Sequence, residues 1–300
     1  MYAGRFAPSP TGPLHFGSLV AAVGSYLDAR AHNGKWLVRI DDIDPPREQP
    51  GAATQILQTL EAFGFEWDGE AVHQSQRSTS YDAALDQLGD QLYSCNCSRK
   101  QIASSGRDGP YGRIYSGTCR DKALPNQIAA ALRVRVGPGA TVCDDLIQGK
   151  YAQNLEQDIG DFIVRRRDGL YGYHLATAID DAAQSITHIV RGADLLESTP
   201  RQIFLQQLLG LTTPQYAHLP VAVNPAGDKL SKQTHAQPLQ IATANKALFA
   251  ALDFLGQMPN PELQHESLSS LWTWALSNWS LATVPKKPKI TVNDDHIQLA

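Results

Sequence analysis

The first 90 residues alternate between strand-like and helix-like segments joined by short loops, and no other feature of the chain restricts the fold as strongly. Apolar runs predict strands over 2–7 and 36–40, the second of them buried. Helical periodicity predicts helices over 18–33, 52–63 and 81–93. Because strands that alternate with helices pair in parallel through helical crossovers, the pattern predicts a doubly wound parallel α/β sheet.

The alternation stops after the third predicted helix and returns later in the chain. Clusters of Gly, Pro and Ser punctuate the segment between, which is typical of irregular connections. We therefore predict the first half of the sheet domain at 1–94, an irregular insertion at 95–157 and the second half of the domain at 158–235. A short, tryptophan-bearing helical C-terminal region follows at 236–300.

Composition excludes several classes of protein. The chain has 300 residues, of which 42% are hydrophobic and 19% charged, as in globular proteins with a sizeable core. A formal net charge of −4 excludes a uniformly basic nucleic-acid coat but leaves local basic runs at 165–167 and 286–289. No apolar run approaches the roughly 20 residues of a membrane helix. Four cysteines are too few for a disulfide scaffold. We therefore expect a cytoplasmic protein without a membrane segment.

A loop rich in proline and glycine follows the first strand and leads into the first helix. It ends in His15-x-Gly17-Ser18 at the mouth of that helix. Backbone N–H groups at a helix N-terminus attract phosphate, a glycine lets a nucleotide approach closely, and a histidine can donate to phosphate oxygens. The loop indicates a nucleotide site, although a structural loop with a surface histidine would have the same residues.

A second candidate for phosphate binding is the lysine loop, Lys229-Leu230-Ser231-Lys232. Two lysines three positions apart can neutralise a triphosphate and its leaving pyrophosphate. Taken alone, such a tetrapeptide is equally typical of a solvated loop.

Three of the four cysteines, Cys95, Cys97 and Cys119, lie within 25 residues of one another. Two thiolates one residue apart and a third across a loop can supply three ligands of a tetrahedral zinc site. The alternative is a set of three reduced cysteines with no metal. Cys143 stands apart and is interpreted as a small buried hydrophobe.

Together, the histidine loop and the lysine loop have the order and setting of the HIGH and KMSKS motifs of class I aminoacyl-tRNA synthetases. The chain resembles the glutamyl and glutaminyl branch of that class in four further runs, namely 4–17, 37–44, 189–194 and 218–220. Ser18 stands where the last histidine of HIGH would be, a variation that this branch tolerates.

This resemblance covers about residues 4–235 and implies a Rossmann-like class I synthetase domain that activates an amino acid with ATP and Mg²⁺. The residues that it assigns to ATP are His15, Gly17, Ser18, Lys229, Ser231 and Lys232. Of these, it implies that His15, Lys229 and Lys232 are catalytic, since they would stabilise charge in the transition state. The residues that it assigns to the substrate are Arg5, Phe6, Ala7, Pro8, Ser9, Asp41, Tyr173 and Arg191.

Glutamate fits this set of substrate residues. Arg5 and Arg191 are suited to its carboxylates, and Ser9 and Tyr173 can supply hydroxyl groups. At Asp41 the family usually has a glutamate that binds the substrate ammonium. The shorter side chain leads us to expect a contact through water or none.

The resemblance also implies one Zn²⁺ per chain, held by Cys95, Cys97, Tyr115 and Cys119 in a C-x-C…Y-x-x-x-C pattern, within an insertion that resembles an acceptor-binding domain. The paired acids Asp144-Asp145 and Asp180-Asp181 are interpreted as structural, because adenylate formation needs no general base from the protein.

Only 68 residues follow Lys232, too few for the anticodon-binding region of a discriminating glutamyl-tRNA synthetase. The chain therefore resembles the truncated paralogs, the glutamyl-queuosine tRNA(Asp) synthetases. This resemblance implies activation of L-glutamate without tRNA and its transfer to the queuosine base at the wobble position of tRNA(Asp), by a monomer. The alternatives are an enzyme that charges a 3′ end, a related ligase that adenylates another acid, and a non-catalytic zinc-bearing RNA-binding regulator.

Overall fold

The computed structural model of the protein describes residues 1–122, 130–230 and 237–292. Two predicted site residues, Ser231 and Lys232, lie outside these ranges. Within them, every helix is too short or too polar to cross a membrane.

The N-terminal part has the predicted alternation. It consists of β1 (Ala3–Phe6), α1 (Phe16–Ala31), β2 (Lys35–Ile40), α2 (Ala52–Ala62) and β3 (Val72–His73). Strand β2 lies between β1 and β3 and pairs in parallel with both. The predicted parallel α/β arrangement is confirmed here.

The third helix begins and ends earlier than predicted. Helix α3 spans Ser78–Leu88, and β4 (Leu92–Cys95) follows after one short turn. The prediction of a helix over 81–93 was wrong at its C-terminal end. Gly89 adopts a positive φ of 43° there, which stops the helix.

The segment 95–157 is not irregular, which corrects the prediction. Its helix and strands are α4 (Arg99–Ser105), β5 (Arg107–Gly109), β6 (Gly112–Ile114), β7 (Ala131–Val134), β8 (Thr141–Asp145) and β9 (Gly149–Gln153). Pairs β5–β6 and β8–β9 are hairpins. Strand β7 lies between β4 and a later strand, Phe162–Arg165, in an antiparallel sheet. The many turn residues mark the short connections of these hairpins, which periodicity over long windows does not resolve.

The chain then completes the antiparallel sheet and leads back to parallel strands. The elements are α5 (Leu155–Asp158), β10 (Phe162–Arg165), α6 (Tyr173–Ala183), β11 (His188–Gly192), α7 (Thr199–Leu208), β12 (Gln215–Leu219) and β13 (Val221–Val223). Strands β11 and β12 pair in parallel. Strand β11 begins beside β1, where the Thr187 N–H donates to the Ala3 carbonyl at 2.9 Å.

The sheet has an apolar core on each face. On β11, Ile189 packs with Cys143, Ile203 and Tyr216, whereas the next residue, Val190, belongs to the large core around α1. This alternation is expected of a strand buried on both faces. Cys143 is buried among apolar groups, as predicted.

The C-terminal region is helical, as predicted, and packs against α1 and α2. It contains α8 (Ala244–Phe254), α9 (Leu268–Asn278) and the strand β14 (Lys289–Thr291), which pairs with β13 and was not predicted. The indole N–H of Trp272 donates to the Phe63 carbonyl at 2.8 Å, and that of Trp279 donates to Asp28 at 3.1 Å. These bonds fix α9 on the N-terminal half.

Candidate active site

A main cavity of about 610 Å³ opens where β1 and β11 end and α1 begins. Ligands of doubly wound sheets bind at the carboxyl ends of the parallel strands. The predicted residues that line this cavity are Arg5, Phe6, Ala7, Pro8, Ser9, His15, Gly17, Ser18, Tyr173, Arg191 and Lys229. The fold therefore gathers most of the predicted ATP and substrate residues in one place, and their roles stay predictions.

His15 is the N-cap of α1. Its Nδ1 accepts the Ser18 N–H at 3.4 Å, so the neutral ring carries its proton on Nε2. Gly17 lies beneath the lysine loop, since a Cβ built on it would lie 3.4 Å from the Leu230 carbonyl oxygen. A larger residue would crowd this approach. The two phosphate-binding candidates, about 200 residues apart in the sequence, are thus neighbours in space.

Lys229 lies at the rim of the main cavity. Its Nζ is 2.6 Å from a carboxylate oxygen of Asp194, which also lines the cavity. Asp194 was not predicted as a partner of this lysine. In the sequence, only its place in the family-like run 189–194 indicated that Asp194 could belong to the site.

Arg191, at the end of β11, is buried and nearly saturated with hydrogen bonds. Its Nε donates to His218 at 3.1 Å, and its Nη2 donates to Thr199 at 2.9 Å and to Gln202 at 2.8 Å. The third nitrogen, Nη1, is buried and has no hydrogen-bond partner in the described structure. A buried, unpaired guanidinium N–H on a residue that lines a cavity is suited to donate a hydrogen bond to a carboxylate ligand.

Arg5 does not point freely into the cavity. Its Nε and Nη2 donate to the two carboxylate oxygens of Asp181 at 3.1 and 3.2 Å. Arg39, which was not predicted, donates to the same carboxylate at 2.7 Å and to Asp41 at 2.8 Å. All four charged groups are buried. The pair Asp180-Asp181, interpreted from the sequence as structural, is thus engaged by arginines, since Asp180 pairs with Arg77.

Asp41 lines a side cavity of about 170 Å³ that shares Ser9 and Tyr173 with the main cavity. Burial raises the pKa of Asp41, and this outweighs the opposing effect of the Arg39 guanidinium beside it. Asp41 stays close to other substrate candidates, since its backbone N–H donates to the Pro8 carbonyl at 2.9 Å, but Arg39 already occupies one of its carboxylate oxygens. Its contact with a substrate ammonium stays a prediction.

The predicted metal ligands converge in a thiol cluster formed by Cys95, Cys97, Tyr115 and Cys119. The three sulfur atoms lie within 4.8 Å of one another, and the Tyr115 hydroxyl lies 3.4 Å from Cys95 Sγ and 3.6 Å from Cys97 Sγ. Tetrahedral zinc with bonds of about 2.3 Å to sulfur places its ligand atoms about 3.8 Å apart. The four side chains therefore fit a zinc ion.

The electrostatics of the thiol cluster agree with this fit. Burial acts to raise the pKa of Cys119, but hydrogen bonds from Tyr115 and from the other thiols lower it to about 7. A thiol with this pKa is partly ionised at neutral pH, and the thiolate is the form that binds metal.

Comparison with known proteins gives the class and then the family. Residues 2–258 match the model of the catalytic domain of class I tRNA synthetases for E and Q. The protein is a class I aminoacyl-tRNA synthetase by fold and by sequence, as its motifs predicted.

It is 55% identical to the Glutamyl-Q tRNA(Asp) synthetase of Dechloromonas aromatica, over 96% of this chain and 97% of that protein. It is 52% identical to the protein of the same name from Chromobacterium violaceum, over 96% and 97%. The chain belongs to the Glutamyl-Q tRNA(Asp) synthetase family.

Solved structures agree on the fold. The crystal structure of the glutamate-tRNA synthetase of Elizabethkingia anophelis superposes with a TM-score of 0.80 at 24% identity, over 99% of this chain and 69% of that one. The glutamate tRNA ligase of Elizabethkingia meningosepticum, solved in complex with its amino acid, has the same score and identity.

The Asp181 carboxylate is expected to be essential for stability. Asp181→Asn leaves the Arg5 guanidinium buried without a counter-charge, which should lower the free energy of unfolding by about 3 kcal/mol in urea titrations at pH 7. Asp168→Asn is the matched control. Asp168 pairs with Arg166 at the surface, where its side chain is 49% exposed, and its loss should cost less than about 1 kcal/mol.

The same substitution should change the acid response. Although burial acts to raise it, the two arginines lower the pKa of Asp181 from its ordinary 3.8 to about 2. The stabilisation is therefore complete above pH 3.8 and is lost as the pH falls toward about 2. Equal unfolding energies for wild type and Asp181→Asn at pH 7 would show that this ion pair does not support the fold.

Proposed function

We propose that this protein activates L-glutamate with ATP and transfers it to the queuosine base of tRNA(Asp). The observation that carries the proposal is the main cavity, whose lining brings together the buried guanidinium group of Arg191, the N-terminal end of α1 and Lys229. The names of relatives at 50–56% identity support the same reaction.

In the first step, a glutamate α-carboxylate oxygen attacks the α-phosphorus of ATP, and pyrophosphate leaves. Such a step depends on positioning and on stabilisation of charge. The N-terminus of α1 and the Nε2–H of His15 are placed to bind phosphate oxygens, and Lys229 lies at the rim where pyrophosphate would leave. Magnesium would accompany ATP, as it does generally with bound nucleotide triphosphates.

Glutamate recognition would use Arg191, whose Nη1 is buried and unpaired. Ser9 and Tyr173 lie where the main and side cavities meet and would add hydroxyl groups. Arg5 would act mainly through its charge, because Asp181 already binds two of its nitrogens.

In the second step, a hydroxyl of the queuosine cyclopentene diol attacks the carbonyl carbon of glutamyl-adenylate. The new ester bond forms, the bond to the AMP oxygen breaks, and the hydroxyl proton is released. The cyclopentene cis-diol resembles the ribose edge that class I synthetases acylate, so one site can serve both geometries.

RNA binding needs local basic surface, because the net charge is −4. The lysines of the run 286–289 are exposed and suited to phosphate contacts. In the run 165–167, Arg166 is already paired with Asp44 and Asp168. We propose the C-terminal lysines as the stronger RNA contact.

We expect the reaction to take place in the cytoplasm, because its substrates are ATP and tRNA, and we expect the protein to act as a monomer.

The thiol cluster is proposed to hold one zinc ion per chain, in a structural role. Four protein ligands leave no open position for a reacting water. Its ligands come from β4 and from the loop after β6, so the metal would tie two parts of the insertion together.

Glutamate should support ATP–pyrophosphate exchange in the absence of RNA, because the cavity groups already meet in the protein alone. In a panel of amino acids, we expect exchange with glutamate only. Lys232→Ala should slow it about 100-fold, as expected when a transition-state charge donor is lost. Lys35→Ala, at the far end of β2, is the control and should be unaffected. Exchange only after tRNA is added would contradict independence from RNA.

Labelled glutamate should join tRNA(Asp) only when the wobble base is queuosine, with the same tRNA lacking the modification as the control. Because the label would sit in the anticodon loop, enzymatic removal of the 3′-terminal nucleotides should leave it on the RNA. Loss of the label with the 3′ end would identify an enzyme of the 3′-charging kind, and no labelling of any RNA would favour a regulator.

Protein purified without chelators should contain about one equivalent of zinc by elemental analysis, because four ligands converge in the thiol cluster. Cys119→Ser should lose most of it. Cys143→Ser changes a buried cysteine outside the cluster and should keep the metal. Equal zinc in both variants would argue against the proposed ligands.

A further inference from the structure

Behind Arg191 lies a chain of buried polar groups that the proposed chemistry does not use. Asp145 ends β8, His218 lies on β12 and Arg191 lies on β11. The His218 Nδ1 is 2.6 Å from Asp145 Oδ2, and the side chains of both residues are 0% exposed. On the other side of the ring, the Arg191 Nε–H donates to His218 Nε2 at 3.1 Å.

The three groups define one tautomer of His218. An ionised carboxylate can only accept hydrogen bonds, so the proton must lie on Nδ1, and Nε2 keeps the lone pair that accepts from Arg191. Burial lowers the pKa of His218, which keeps the ring neutral. The hydrogen bond from His218 helps to lower the pKa of Asp145 against the opposing effect of burial, which keeps the carboxylate ionised.

This arrangement leaves the Arg191 guanidinium no freedom to turn. Nε is held by His218, and Nη2 is held by Thr199 and Gln202. The nitrogen that remains, Nη1, is buried and unpaired within the described structure, on a residue that lines the main cavity. Because hydrogen bonds hold Nε and Nη2, the guanidinium plane is fixed, and so are the directions in which the Nη1 N–H groups point.

We infer that Asp145 and His218 are positioning residues, which hold Arg191 so that its Nη1 binds a carboxylate of the substrate. The inference rests on the proposed function, since that function supplies glutamate as the ligand. It also gives the hairpin β8–β9, within the segment predicted as a separate insertion, a part in the amino-acid site.

The two oxygens of Asp145 have separate partners, which lets an experiment separate folding from positioning. Oδ1 accepts the backbone N–H groups of Ile147, Gln148 and His218 at 3.0, 2.8 and 3.1 Å, and so holds the turn of the hairpin. Oδ2 faces the imidazole of His218.

Asp145→Asn keeps an oxygen for the three backbone N–H groups and turns an NH₂ group toward His218. Nδ1 must then accept and the proton moves to Nε2, as in other carboxylate–imidazole pairs changed to amide. The ring then no longer accepts from the Arg191 Nε–H, and its own Nε2–H is left with the Thr199 hydroxyl at 3.2 Å, so Arg191 loses this support. The KM for glutamate in pyrophosphate exchange should rise at least about tenfold, while the KM for ATP and kcat change little. Nitrogen-15 NMR of the full chain should show the His218 proton moving from Nδ1 to Nε2.

Asp144→Asn is the matched control, because it makes the same charge change on the exposed neighbouring residue. It should leave both KM values and the His218 tautomer as in wild type. Thermal melting checks that each variant folds.

A second pair of variants tests the inference without Asp145→Asn. His218→Gln can donate toward Asp145 and accept from Arg191, so its KM for glutamate should stay within about fivefold of wild type. His218→Leu cannot accept, and its KM should rise at least about tenfold. Equal KM values for the Gln and Leu variants would overturn the inference.

The remaining outcomes separate the two proposals. If wild type does not use glutamate, the proposed function fails and this inference fails with it. If wild type uses glutamate and Asp145→Asn switches the tautomer without raising the KM for glutamate, the inference alone is wrong. A parallel rise in the KM values for glutamate and ATP would show a structural role only.

Discussion

Asp181 joins three segments that are far apart in the sequence. Its carboxylate lies on α6, and it accepts hydrogen bonds from Arg5 on β1 and from Arg39 on β2. Because a buried charge without a partner is costly, these three elements can only pack together in an arrangement that satisfies all of them. The floor of the main cavity is built on this arrangement, since Arg5 lines it.

The charged groups around the cavity form layers with different roles. Asp181 and Arg39 are buried and bind other protein groups, whereas Arg191 is buried, lines the cavity and keeps one nitrogen unpaired within the described structure. Lys229 and His15 lie farther out, where phosphate would arrive. Repulsion among these cations opposes their close packing, and the acids paired with them offset that repulsion. The same acids hold the arginine side chains in fixed directions.

The segment 95–157 contributes residues to two separate groups of side chains, the thiol cluster and the buried polar groups around Arg191. Its first part carries the thiol cluster, and its last hairpin, β8–β9, carries Asp145 to His218, the neighbour of Arg191. The predicted boundary between 157 and 158 therefore separates Asp145 from His218 and Arg191, which the structure brings into contact. The cause is physical, since turn residues mark where a chain reverses and not what its strands pack against.

The sequence by itself determined the parallel α/β class, the family, the four side chains of the thiol cluster and many of the residues that line the main cavity, because each is encoded in short runs with fixed spacing. His15-x-Gly17 gained its meaning from the lysine loop later in the chain, and Cys95-x-Cys97 gained its meaning from Tyr115 and Cys119. Only the tertiary structure decided which charges are engaged. Arg5 and Arg191 are both arginines at the ends of strands, yet one is paired with Asp181 and the other keeps Nη1 unpaired in the described structure. The partners of Arg191, His218 and Asp145, lie tens of residues away along the chain, and no local pattern brings them together. Their contact depends on the packing of β8, β11 and β12, which side-chain burial across the whole sheet determines.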